Sequence, residues 1–463
     1  MSHRSILLSV LVGCSSGPEW LGAAGRGELT NADAPNVLVI SLDTLRSDRL
    51  PLYGHGRNTA PTLSAIAAEG GWMSRTWSHA PQTDGTHAAL FTGRYSSTHG
   101  KFTHEQRLPS SEQTFAEHFR AHGYRTWAVA TSLKFVRESG FSQGFEDWML
   151  HGEGAVVARG NQALADALDQ MAGGGPWLGF VHLFDVHAPY TPPEPHRSQF
   201  LTAAPTIKPR RTVHYIRKHR RDKNIPPNKL RTLRELYEGG IHHVDARVAE
   251  LWDVARTSQR ETVMVITSDH GEAFSEHDYL GHSNFLWEEI MRVPWIVWAP
   301  GRVAPGTRID APAQSVDLAP TLTDLAGLDP LPAVDGESFG PALLGTGPAP
   351  SEERLIALQE TGRWGVVRTI DGITWKLTTA VHERKRAQLV AGEATRLTDV
   401  RMFNLTDDPH ERADVAEDHP RIRTALEADL RALGSDDPTA RSVQRDDISD
   451  EELEGLRAIG YVD

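Results

Sequence analysis

The chain has 463 residues, 39% of them apolar and 24% charged, enough for a sizeable core and unlike a disordered chain. Its 48 Lys and Arg against 61 Asp and Glu give a formal charge of −13, which speaks against a general nucleic-acid binder. The lone cysteine, Cys14, excludes an intramolecular disulfide framework and a Cys-rich zinc site, and no apolar run reaches the ~18 residues of a membrane-spanning helix.

Arg4 gives the N-terminus a positive start, and Ile6 to Val12 form a short apolar stretch that Gly13 and Cys14 close. Such a segment reads as a cleaved export signal. Leu11-Val12-Gly13-Cys14 resembles the bacterial lipobox, in which the cysteine is lipidated; the alternative is an ordinary signal peptide with an incidental cysteine. The expectation is a signal over 1–14, a flexible Gly/Ala/Ser-rich tether over 15–34, and a lipid-anchored protein on the periplasmic or cell-surface face of a membrane.

From Pro35 onward, strands and helices alternate. Val37 to Ile40 reads as a buried strand, Pro61 to Glu69 as a helix, Glu112 to His122 as a helix and Tyr124 to Ala130 as a strand. Trp177 to Leu183, Thr262 to Thr267 and Val293 to Trp298 complete the expected strands. This pattern predicts an α/β fold with a doubly wound, mostly parallel sheet covered on both faces. A Gly/Pro-rich stretch at 340–352 separates an expected catalytic domain, 35–345, from a smaller α+β subdomain, 346–463, with strands at Trp364 to Thr369 and Ile373 to Leu377. Residues 207–234 form a basic insert with eleven Lys and Arg, two His and one acid, Asp222. It reads either as a solvated face or as a surface that recruits a polyanion or lipid head groups.

Ligands of open α/β sheets bind beyond the carboxyl ends of the strands. Here one strand ends at Ser41-Leu42-Asp43, one runs into His182, Asp185 and His187, and one ends at Ser268-Asp269-His270. Three such endings at one edge point to a divalent metal site of carboxylate and imidazole. His182 on its own reads as a hydrogen-bonded core histidine. Thr83 stands just before an expected short helix, Thr86 to Phe91. A hydroxyl there suits a nucleophile and a tetrahedral oxyanion, although threonine before a helix is commonly an N-cap.

With these segments the chain resembles the sulfatase family of the alkaline phosphatase superfamily. PNVLVISLDTLRSDRLPLYGH is similar to the family's opening strand and first metal Asp, and APQTDGTHAALFTGRYSSTHG to its nucleophile segment, C/S-x-P-S-R followed by A-A-L-L-T-G. VHLFDVHAPYTPP, VITSDHGEAFSEHDYLGH, WEEIMRVPWIVWAPG, SVDLAPTLTDLAGLDPLPAVDGESFGPALL and MFNLTDDPHERADV resemble its later signatures, in the expected order. The resemblance implies metal-assisted attack on a sulfate or phosphate ester. It places Asp43, Asp269 and His270 as metal ligands, with His282 where two-metal relatives have a histidine ligand. It makes Thr83 the nucleophile and His187 a contact of the substrate oxyanion.

The departures bear on the chemistry. Sulfatases use formylglycine, made from Cys or Ser, and Thr83 cannot become that aldehyde. His87 replaces the family arginine, Thr44 the second Asp of an Asp-Asp pair, and the anion-binding lysine near the second metal segment is absent. The Gly-Lys-Trp-His motif is missing too, leaving Thr131, Ser132 and Lys134 after the strand ending at Ala130. Loss of the Thr44 carboxylate weakens a calcium-type site and the imidazoles favour zinc or manganese, with calcium still open. The expected function is a metal-dependent hydrolase of sulfate or phosphate esters, with His87 or His187 donating to the leaving or non-bridging oxygens. Its substrate would be an anionic ester, polyanionic or glycan-linked, with no nucleic acid and no obligate protein partner. The alternatives are a phosphoryl transferase acting on an envelope substrate and a non-catalytic anion- or glycan-binding homologue.

Overall fold

The structure, a computed structural model, describes residues 34–381, 397–435 and 443–444. The lipobox and nearly all of the expected tether lie outside the described residues. No helix among the described residues is long and apolar enough to cross a membrane.

The central sheet has eight strands: β1 (Asn36–Leu42), β2 (Gly71–Met73), β3 (Arg125–Ala130), β4 (Asp147–Leu150), β5 (Trp177–Leu183), β6 (Thr262–Thr267), β7 (Trp295–Trp298) and β8 (Thr307–Ile309). Their order is β8-β2-β7-β6-β1-β5-β3-β4. β6, β1, β5, β3 and β4 run parallel, and β7 is antiparallel to both its neighbours. Every residue of β1, β5 and β6 is buried, as a parallel strand covered on both faces requires.

Side chains alternate across such a strand. Leu38, Ile40 and Leu42 enter one core with α1 (Pro61–Glu69), α4 (Val156–Met171) and the long α5 (Pro227–Thr257). Val37 and Val39 enter the other, with α2 (Thr83–Thr92), α3 (Phe115–Ala121) and α6 (Leu318–Ala326). Each such side chain, fully buried, contributes roughly 1.5–3 kcal/mol, so this short stretch alone commits β1 to the centre. Register then sets the site: Ser41 lies beside His182 of β5 and Thr267 of β6, so the three chains leave the sheet together at one edge.

The C-terminal part is a four-stranded antiparallel sheet, β9 (Ile356–Glu360), β10 (Arg363–Ile370), β11 (Ile373–Ala380) and β12 (Thr398–Asn404), with α7 (Pro420–Ser435) on one face. Asp371 and Gly372, both at positive φ (52° and 76°), make the two-residue turn between β10 and β11. The other face, with Ile356, Leu358, Val367 and Phe403, packs on Trp77, Tyr279, Ile290 and Met291. Lys376 crosses this seam fully buried, with Nζ 2.8 Å from Glu288 Oε1 and 2.9 Å from Glu411 Oε1. Lys376→Met should leave two acids facing each other in the interior and cost about 3–5 kcal/mol. Urea unfolding should then give a lower midpoint with an unchanged slope.

Several expected bounds shift. The helix expected from Glu112 starts at Phe115, because Thr114 and Glu117 close a reciprocal capping box. The strand expected from Val293 begins after Pro294, which has no N–H for the ladder. The helix expected at Thr86 begins at Thr83, so Thr83 sits in the first turn and Gln82 is the cap residue. Of the basic insert, 212–218 is a short helix and 227–234 is the start of α5, with Ile216 and Ile225 anchored in the core.

Candidate active site

Asp43, Asp269 and His270 each offer a ligand atom, all within 4.8 Å of one another, at the edge where β1 and β6 end. All three are fully buried. Asp269 Oδ1 accepts the backbone N–H groups of Thr44 (3.1 Å) and His270 (2.9 Å). Asp43 Oδ2 accepts from His182 Nε2 at 3.0 Å. That leaves Asp43 Oδ1 and Asp269 Oδ2 buried without a hydrogen-bond partner. Burial, and then the charge of Asp269, push the Asp43 carboxyl well above the usual carboxylate range. Two adjoining buried carboxylates with idle oxygens fit a divalent cation, which would supply the missing charge. His270 completes the trio: its Nδ1 donates to the Gly271 carbonyl (3.0 Å), which turns Nε2 toward Asp269 Oδ2 (3.3 Å) and Thr83 Oγ1 (3.5 Å).

Thr83 is buried in the first turn of α2, whose free N–H groups make a positive end. Its neighbour Asp84 is clamped by two buried lysines, Lys101 Nζ at 3.0 Å and Lys134 Nζ at 2.8 Å. Burial alone would raise the Asp84 carboxyl, but the two ammonium groups hold it well below its usual range. Two cations against one anion leave this wall positive, and the Lys134 charge reaches both Asp43 and His282. Sequence reasoning placed Lys134 nearby without a partner; the short turn after β3 carries it in.

The histidines divide into two groups. His87 Nδ1 donates to the Thr83 carbonyl (2.9 Å) and its Nε2 lies 3.0 Å from Ser41 Oγ, which donates to it. Both ring nitrogens are engaged, and Phe91, Phe135, Phe141 and Phe180 surround the ring. These contacts tie the first turn of α2 to the end of β1, and His87 Nδ1 also lies 3.8 Å from Asp269 Oδ2. His182, set aside as a core histidine, is indeed hydrogen-bonded and buried, but its partner is Asp43, so it belongs to the site. His187 and His282 are neighbours, with ring centroids 5.1 Å apart, and His282 lies 4.3 Å from His270. His282 Nδ1 donates to Glu272 Oε1 at 3.1 Å, while Glu272 Oε2 accepts from Tyr190 Oη at 2.8 Å. Sequence reasoning missed Glu272, although the Asp269-His270-Gly271-Glu272 run carried it in plain view. Burial holds His87 and His182 down at about 4, and His187 and His282 well below the imidazole range. Burial thus favours the uncharged ring in all four. His187 Nδ1 gives its hydrogen to the Ala188 carbonyl at 2.5 Å, so His187 is equipped to accept a proton and not to donate one.

The chain matches the Sulfatase family over residues 35–328. It is 24% identical to the ulvan-active sulfatase of Formosa agariphila, over 70% of this chain and 67% of that one. It is also 24% identical to the choline-sulfatase of Rhizobium meliloti, over 72% and 78%. Among solved structures, one determined with its substrate D-glucosamine-2-N,6-O-disulfate superposes with a TM-score of 0.70 at 18% identity, covering 88% of this chain and 99% of that one. The phosphonate monoester hydrolase of Agrobacterium radiobacter superposes at 0.68 with 19% identity, covering 89% and 100%. With the family match spanning most of the chain and the sheet in register beneath it, the protein belongs to the sulfatase family of ester hydrolases.

Proposed function

We propose that this sulfatase-family hydrolase prefers phosphate esters and uses Thr83 as its nucleophile. The supporting observation is Thr83 itself, a hydroxyl with no route to an aldehyde, in the first turn of α2 and beside His270 Nε2 at 3.5 Å. A divalent cation held by Asp43, Asp269 and His270 would supply a Lewis acid for the ester and nucleophile oxygens. Two carboxylates and an imidazole suit zinc or manganese better than calcium.

The chain's own residues do the remainder. The first-turn N–H groups of α2 would face the charge that builds on the non-bridging oxygens, and the Lys134 ammonium, held on Asp84 at 2.8 Å, adds positive potential to that wall. His87 fixes the Thr83 carbonyl and so the direction of its side chain. In the first step the Thr83 Oγ–phosphorus bond forms as the bond to the substrate alcohol breaks, and the hydroxyl proton leaves with that alcohol. In the second, water forms a new bond to phosphorus, Thr83 is regenerated with one water proton, and phosphate departs. His187 Nε2 is suited to take up the water proton in passage.

Sulfate esters are the competing class, favoured by the names of the relatives. Turnover of 4-nitrophenyl phosphate and of its sulfate by the same preparation decides between them. The phosphate should be faster by at least about tenfold. Good sulfate turnover with poor phosphate turnover would overturn the phosphoester preference and leave the family assignment standing.

A further inference from the structure

The basic insert is docked against the active site. The Leu280 N–H donates to the Arg220 carbonyl at 2.9 Å, which ties the insert to the turn that carries His282. Gly281 sits between them at φ 94°, a conformation that favours glycine. A Cβ built there would lie 3.3 Å from Ile216 Cγ2, 3.7 Å from Glu272 Oε1 and 3.9 Å from Arg220 Nε. The guanidinium of Arg220 therefore stands next to the Glu272–His282 pair. Its charge is felt by Glu272, by His282 and by Tyr279.

Arg220 is half-buried, and its Nε is buried without a hydrogen-bond partner. Glu272 accepts from His282 and from Tyr190, and no hydrogen bond joins it to Arg220 Nε among the described residues. A half-buried cation with an unpartnered Nε, set beside imidazole rings, suits an anion and not a proton-transfer role. On the outer side, Arg221 continues the positive charge, with its guanidinium 5.8 Å from the centre of the Phe285 ring.

We propose that Arg220 is a specificity residue that binds a second anionic group of the substrate, one removed from the scissile ester. The substrate class is then an ester whose alcohol portion carries a further sulfate, phosphate or carboxylate. This inference rests on the reading of the site given under Proposed function and names the substrate more narrowly. It also accounts for the insert, which places one residue in the substrate wall while its exposed lysines and arginines raise the local concentration of polyanions.

The experiment compares two probes, a nitrophenyl ester that the wild type turns over and the same ester with a carboxylate on the ring. Three variants are used: Arg220→Gln, Arg220→Lys, and Lys223→Gln as an exposed charge of the same insert. Arg220→Gln should raise KM for the carboxylated ester by about 10- to 100-fold, and KM for the plain ester by no more than about threefold. The kcat of both should move little, and Arg220→Lys should recover part of the loss. Lys223→Gln should act weakly and only at low salt. A purely structural role, in which Arg220 merely supports the His282 turn, would change both esters alike. Equal effects on the two esters, or none on either, overturn the proposal. A wild type that turns over neither phosphate nor sulfate esters overturns the reading of the site itself.

Discussion

Asp269→Asn should abolish binding of a divalent ion at the Asp43, Asp269 and His270 trio and lower turnover by about 10³-fold or more, since a Lewis acid there would supply several kcal/mol of transition-state stabilisation. The substitution is nearly isosteric. Its amide oxygen can still accept the Thr44 and His270 N–H groups that Asp269 Oδ1 holds at 3.1 and 2.9 Å. What changes is the other atom. Oδ2, buried and without a partner, becomes a donor amide that no cation tolerates. The repulsion on Asp43 also falls, so the variant should fold at least as well as wild-type protein freed of metal. Elemental analysis should find about one equivalent of ion in wild type and little in the variant. Chelation of wild type should produce the same loss, reversed by zinc or manganese more fully than by calcium. An Asp269→Asn protein that keeps both ion and activity would remove the trio from the mechanism.

The centre of this fold is written in its sequence because three strands are buried on both faces. Val37 to Ile40, Trp177 to Leu183 and Thr262 to Thr267 are mostly apolar or β-branched runs, and nothing competes with that reading. The residues that follow them, Asp43, His187 and Asp269-His270, converge because the register aligns the three strand ends. The short strands β2, β4 and β8, of three or four residues, carry no readable period and were invisible. What Lys134 and the Arg220 of the basic insert contact was hidden for a different reason. Each reaches the site from a turn or an insert remote in sequence, through contacts that only the packed chain creates. His182 illustrates a third limit. Burial and hydrogen bonding were foreseeable, whereas the identity of its partner, Asp43, depends on two neighbouring strands being in register.

Thr83→Ala should lower phosphoester turnover on the order of 10³-fold while leaving the bound ion in place. Alanine is a better helix former than threonine, so the first turn of α2 survives, and the trio of Asp43, Asp269 and His270 is intact. The variant thus separates loss of the nucleophile from loss of the metal, which Asp269→Asn cannot do. Thr83→Ser keeps the hydroxyl but drops a buried methyl, and with it some control of the side-chain rotamer. It should retain activity to within about tenfold of wild type. Quenching wild type during turnover should yield a phosphoryl group on the peptide containing Thr83, and the alanine variant should yield none. The result that would defeat the assignment is a Thr83→Ala enzyme with wild-type turnover. Attack would then come directly from water, and the hydroxyl 3.5 Å from His270 would be only part of the metal's surroundings.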